Sequence, residues 1–131
     1  MRKLITSDVF KMARIIKEAG VKNAIAEIFK ETRNTNIVIE ENDSEAVKKA
    51  KTEAINKKQE EAGFEAIMTI FESCSTEKLE KMLYEFLGGI SEKKSDEVAG
   101  QTLEATIEDI KTIVSENNIV NFFKQADQLT K

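Results

Sequence analysis

The chain has 131 residues, one Cys, no His, no Pro and no Trp, and carries a net charge of -4 with 34% of its residues charged. A chain of this length reads as one domain, able to bury about two-thirds of the surface its unfolded form exposes, and 40% apolar residues spread along it argue against disorder. The acidic balance gives no global attraction to nucleic acid or anionic membrane, and the absence of His removes the commonest general base and neutral metal ligand.

The opening residues, Met1 to Asp8, lack the apolar core of a signal peptide because Asp8 cuts it short. No apolar run approaches the roughly 20 residues needed to span a bilayer. A lone Cys74 forms no internal disulfide and gives no sign of an oxidising compartment. A soluble, cytoplasmic protein is expected.

Val9, Met12, Ala13 and Ile16 fall at helical spacing. Thr6 is the expected N-cap, with Ile5 and Phe10 placed as a hydrophobic staple, and Gly20 stands where a left-handed residue ends a helix. Val21, Ala24, Ile25 and Ile28 repeat the spacing, so a second helix follows at once. Residues 1–33 hold eight basic and four acidic side chains. They therefore carry +4 against -8 for the rest of the chain. Two helices joined at Ala19-Gly20-Val21 resemble a helix-turn-helix, but Lys22 to Arg33 offers only Asn23, Lys30 and Arg33 for reading base edges. A small DNA-binding regulator is the alternative reading of this hairpin; the leading expectation is no nucleic-acid partner and no membrane.

Residues 34–43 break the helical pattern. Ile37, Val38 and Ile39 suit an extended linker, or a strand paired between subunits. A long helix starts at Asn42 or Ser44. Its first half, Glu45 to Glu61, is charged and suits solvent or another subunit; Phe64, Ile67, Met68 and Phe71 give the second half a strong apolar face. Gly63, between them, is a candidate kink. After a cap at Ser75, the segment with Leu79, Met82, Leu83, Phe86 and Leu87 is strongly apolar, and Gly88-Gly89 is expected to stop it. Residues 88–101 read as a loop with one short helical turn around Asp96 to Ala99. Thr102 caps a helix with Leu103, Ile107, Ile110 and Val114 as its stripe, and Asn117-Asn118 is the turn before a last helix. The expectation is an all-α single domain, 1–131, of about six helices. Phe64, Ile67, Met68, Phe71, Leu79, Leu83, Phe86, Leu103, Ile107 and Ile110 are expected to share one core.

Little chemistry is on offer. Glu40-Glu41, Glu60-Glu61 and Glu108-Asp109 are sequence neighbours that point apart on a helix, and a thiol without a partner base is expected to be inert. Gly88-Gly89 lacks the spacing of a phosphate loop. No enzyme activity, cofactor or metal is expected. The opposite charges of the two segments suit head-to-tail contact, so a homo-oligomer weakened by salt is expected.

Four stretches carry a resemblance: "TSDVFKMARIIKEAGVKNAIAEIFKE", "EEAGFEAIMTIFES", "KMLYEFLGGI" and "ENNIVNFFKQADQL". In that order they resemble the tail assembly chaperones of long-tailed bacteriophages and prophages of Gram-positive bacteria. The resemblance implies a small, helical, non-enzymatic protein of the host cytoplasm, absent from the finished virion. Such a protein binds and solubilises the tape-measure protein and helps tail-tube subunits polymerise around it; many have a second, frameshift-extended form. The family has no catalytic motif to carry over. From the residues alone, Phe122, Phe123, Ala126 and Leu129 are the candidate partner-binding positions. Either one Phe docks on Leu103, Ile107 and Ile110 and the other stays near the rim with Leu129, or both rings belong to the core.

Overall fold

The computed structural model describes residues 1–33 and 37–130. Seven helices follow in order: α1 Thr6–Ala19, α2 Lys22–Arg33, α3 Glu45–Glu72, α4 Glu77–Ser91, α5 Ser95–Gly100, α6 Leu103–Glu116 and α7 Ile119–Leu129. The all-α expectation holds, and no strand occurs among the described residues. Residues 37–40 are not helical, and Val38 and Ile39 are exposed. Residues 41–43 of the expected linker are also non-helical, and 34–36 lie outside the described residues.

Several helix ends follow local chemistry. Ser44, Thr102 and Asn118 cap α3, α6 and α7 by accepting from the backbone N–H three residues on. Gly20, at φ +68°, closes α1 in the left-handed conformation that glycine adopts without strain. Two caps are shifted by one residue. Thr76, not Ser75, caps α4. Ile5, not Thr6, holds the cap position of α1, and Asp8 Oδ2 accepts its N–H at 2.9 Å. The shift moves the staple positions to Leu4 and Val9, both half-buried, and leaves Ile5 and Phe10 exposed.

Two glycine expectations are corrected. α3 runs unbroken through Gly63, because a Cβ there would meet Ile119 side-chain carbons at 2.7 and 2.8 Å. The glycine lets α7 press its first residue onto α3. α4 likewise continues through Gly88-Gly89 to Ser91, so residues 88–91 are not loop. Gly88 accepts from Lys93 N–H at 2.9 Å, and a Cβ on it would lie 2.6 Å from the Lys93 carbonyl oxygen. The helix ends instead on Glu92, a non-glycine residue at φ +61°. α5 is the element that raises the helix number from six to seven.

Gly63→Ala is expected to destabilise. The added methyl overpacks against Ile119 at a cost of about 1–3 kcal/mol, offset in part by about 1 kcal/mol of helix propensity. Chemical denaturation should show a net loss for Gly63→Ala and none for Gly100→Ala, where a Cβ meets nothing within 4 Å. Equal behaviour of the two variants would sink this account of Gly63.

The core is built chiefly by α1, α3, α4, α6 and α7, with α2 laid on α3 and α7 and α5 on α4. Met12, Ile15 and Ile16 of α1 and Ala66, Ile67 and Ile70 of α3 are buried in it. So are Leu79, Leu83, Phe86 and Ile90 of α4. Phe64, Met68 and Phe71 pack at its edge as partly buried groups. Leu103 does not belong to it: the side chain is 68% exposed, because α6 turns Ile110, Ile113 and Val114 inward and its first turn overhangs the bundle. Ile107 is half-buried.

Candidate functional site

Phe122 and Phe123 are both buried, at 6% and 1% exposure, and Ala126 is fully buried. The Phe123 ring lies 5.2 Å from that of Phe29 on α2, the Phe122 ring 6.0 Å from that of Phe86 on α4, and the two meet edge to face at 5.5 Å. Of the two readings, the one with both rings in the core is what the structure shows, and the one with a ring at the rim is corrected. Neighbouring residues on a helix point about 100° apart, but α7 is covered by α1 and α3 and reached also by α2, so both directions are enclosed. Nor is the stripe of Leu103, Ile107 and Ile110 the seat, since α7 packs more on α1 than on α6. Of the four candidate partner-binding residues only Leu129, at 49%, is exposed.

The best-built polar constellation sits at the chain start. Asp8 is fully buried and accepts two hydrogen bonds from the Arg2 guanidinium, at 2.7 and 2.9 Å, besides the Ile5 N–H. Burial alone would raise the Asp8 pKa; the bonds from Arg2 and Ile5 and the nearby positive charge of Arg2 and Lys11 more than reverse it, holding the carboxyl below its ordinary 3.8. Arg2 also donates from Nε to the Gly89 carbonyl at 2.7 Å and from its backbone N–H to the Ile90 carbonyl. Lys3 Nζ donates to the Glu116 carbonyl, and Leu4 N–H to Asn117 Oδ1. Residues 2–5 thus strap together the start of α1 and the ends of α4 and α6. No sequence pattern signals this strap, because its partners are 87 and 113 residues away. A second cluster, Lys93, Gln101, Thr106 and Asp109, ties α5 to α6 by hydrogen bonds of 2.9–3.2 Å. Both clusters hold helices together.

Cys74 is half-buried with Sγ 3.9 Å from the Thr76 carbonyl. Burial first, then the Glu80 charge, pushes its pKa up and keeps it a thiol. Among the described residues no three His, Cys, Asp or Glu side chains are placed to hold a metal ion. No described helix is long and apolar enough to cross a membrane. The outer face of α2 exposes Glu27 and Glu31 beside Asn23 and Lys30, so a helix entering a DNA groove here would bring two carboxylates to the phosphates.

What remains are open surfaces. A groove of about 280 Å³ between α2 and α7 has Ile25, Phe29 and Phe123 beneath Lys124, Asp127 and Gln128. A hollow of about 450 Å³ between α4 and α5 is acidic, with Glu77, Glu80, Glu85 and Asp96 around Tyr84. Exposed apolar side chains stand at Phe10, Val38, Ile39, Val47, Leu103 and Leu129. Comparison with known proteins finds no matching family model, curated protein or solved structure.

Proposed function

We propose that this chain is a tail assembly chaperone of a long-tailed phage or prophage, a binding protein that keeps the tape-measure protein soluble and promotes tail-tube polymerisation around it. The observation that carries the reading is the ordered set of four matching stretches. They fall on α1–α2, the second half of α3, α4 and α7, the segments that supply most of the buried core. The surface suits such work. It is densely charged, which suits a protein that keeps a client in solution. The working place would be the host cytoplasm, with the tape-measure and tail-tube proteins as partners.

The test is co-expression with the product of the unusually long reading frame expected just downstream of such a gene. The long protein should move into the soluble fraction and co-purify with this chain. If it stays insoluble and none co-purifies, the chaperone reading fails; a footprint on a defined DNA sequence at physiological salt would instead support the regulator.

A further inference from the structure

Where the start of α1 meets the turn between α6 and α7 lies a hollow of about 420 Å³. Leu4, Ile5, Val9 and Phe122 give it an apolar lining, and Thr6 with the carboxamides of Asn117, Asn118, Asn121 and Gln125 completes it. In a chain with 34% charged residues, no residue lining this hollow is charged. The α2–α7 groove and the α4–α5 hollow both carry charged side chains. The neighbouring Lys3 ammonium is taken up by the Glu116 carbonyl at 2.7 Å. Within the lining Ile5 is 53% exposed, and Phe10, one helical turn on from Thr6, is 47% exposed.

The four carboxamides divide into two pairs. Asn117 accepts from Leu4 N–H and donates to the Ile113 carbonyl, and Asn118 caps α7 by accepting from Asn121 N–H. The side chains of Asn121 and Gln125, one turn apart on α7, are exposed and make no hydrogen bond among the described residues.

We propose that this uncharged face is a twofold contact between two copies of the chain. In a twofold contact a patch meets itself, so any net charge on it is set against its own like. The acidic α4–α5 hollow would incur that repulsion; the neutral hollow does not. A carboxamide both donates and accepts, so Asn121 and Gln125 can bond to the same residues of a second copy, which neither Lys nor Glu can do. An apolar, charge-depleted centre within a polar rim is also the usual make-up of a protein–protein contact. The inference does not depend on the chaperone reading. It also differs from the head-to-tail charge contact expected from sequence, since a neutral contact keeps its strength in salt while a charged one is screened.

Sedimentation of the whole chain tests it, at about 10–200 µM in about 50 and 500 mM salt. Asn121→Glu places a carboxylate at the third position of α7, where it favours the helix, so the fold is kept while like charges enter the contact. Phe10→Glu does the same from α1 at a half-exposed position. A dimer is expected in both salts, with each variant weakening it at least about tenfold while helical content is unchanged. A wild-type monomer throughout the range, a dimer lost at high salt, or variants that dimerise like the wild type would each overturn the proposal.

Discussion

Truncating Phe123 to Ala is expected to lower the unfolding free energy by about 3–5 kcal/mol, among the larger costs of any single substitution in this chain. The ring is 1% exposed and packs on Phe29 and on Phe122. Its removal takes away apolar burial and leaves a void between α2 and α7 that rigid neighbours fill only in part. Phe122→Ala is expected to cost a similar amount, because that ring is also buried and packs on Phe86. Leu129→Ala, at an exposed position, should change stability by less than about 0.5 kcal/mol. Denaturant titrations of the three variants measure this directly. A loss under about 1 kcal/mol for either Phe would return that ring to the surface and restore it as a partner-binding group.

The second large effect is expected at Asp8. Asp8→Asn keeps the shape of the side chain but leaves the Arg2 guanidinium without its counter-charge and weakens the bond to the Ile5 N–H. A buried ion pair broken on one side typically costs about 3–5 kcal/mol. Arg2 keeps 25% of its side chain in solvent and recovers some hydration, so about 2–3 kcal/mol is expected at pH 7. The gap should depend on pH. Asp8 is held below its ordinary value of 3.8 in the folded chain, so the unfolded chain takes up the proton first as pH falls. The stabilisation is complete above the unfolded value, shrinks as pH drops towards the folded one and is gone below it. Wild-type and Asp8→Asn stabilities should therefore stay a constant distance apart from pH 7 to about 5 and converge as the pH falls below the ordinary 3.8 towards the lowered folded value. A gap that persists unchanged into acid would mean that shape, not charge, is what Asp8 contributes. Arg2→Lys should not substitute well, since one ammonium cannot make the paired bonds of a guanidinium.

These two sites show what could be read from sequence and what could not. Ser44, Thr102, Asn118 and Gly20 act on backbone within three or four residues, so local chemistry marks their helix ends correctly. Gly63 and Gly88 look like breakers by local propensity, but each is small because another segment comes close: Ile119 in one case, the Lys93 carbonyl in the other. Only the assembled fold reveals that. Leu103 fits the period of α6 as well as Ile110 does, yet periodicity cannot say where along its length a helix leaves the bundle. The Phe pair was visible as apolar, but its burial depends on how many neighbours surround α7, which no single-helix pattern contains. The Arg2–Asp8 pair was hidden for the same reason: the carbonyls that complete its setting come from α4.

The closest partner of α1 is α7, and this has a bearing on how the chain is made. The ribosome delivers α1 well before α7. At about 5–20 residues per second, the inward face of α1 with Met12, Ile15 and Ile16 waits roughly 5–20 s before Ala126 has been added. A nascent chain of this protein therefore keeps part of the apolar face of α1 uncovered until Phe122 and Phe123 of α7 arrive to close it.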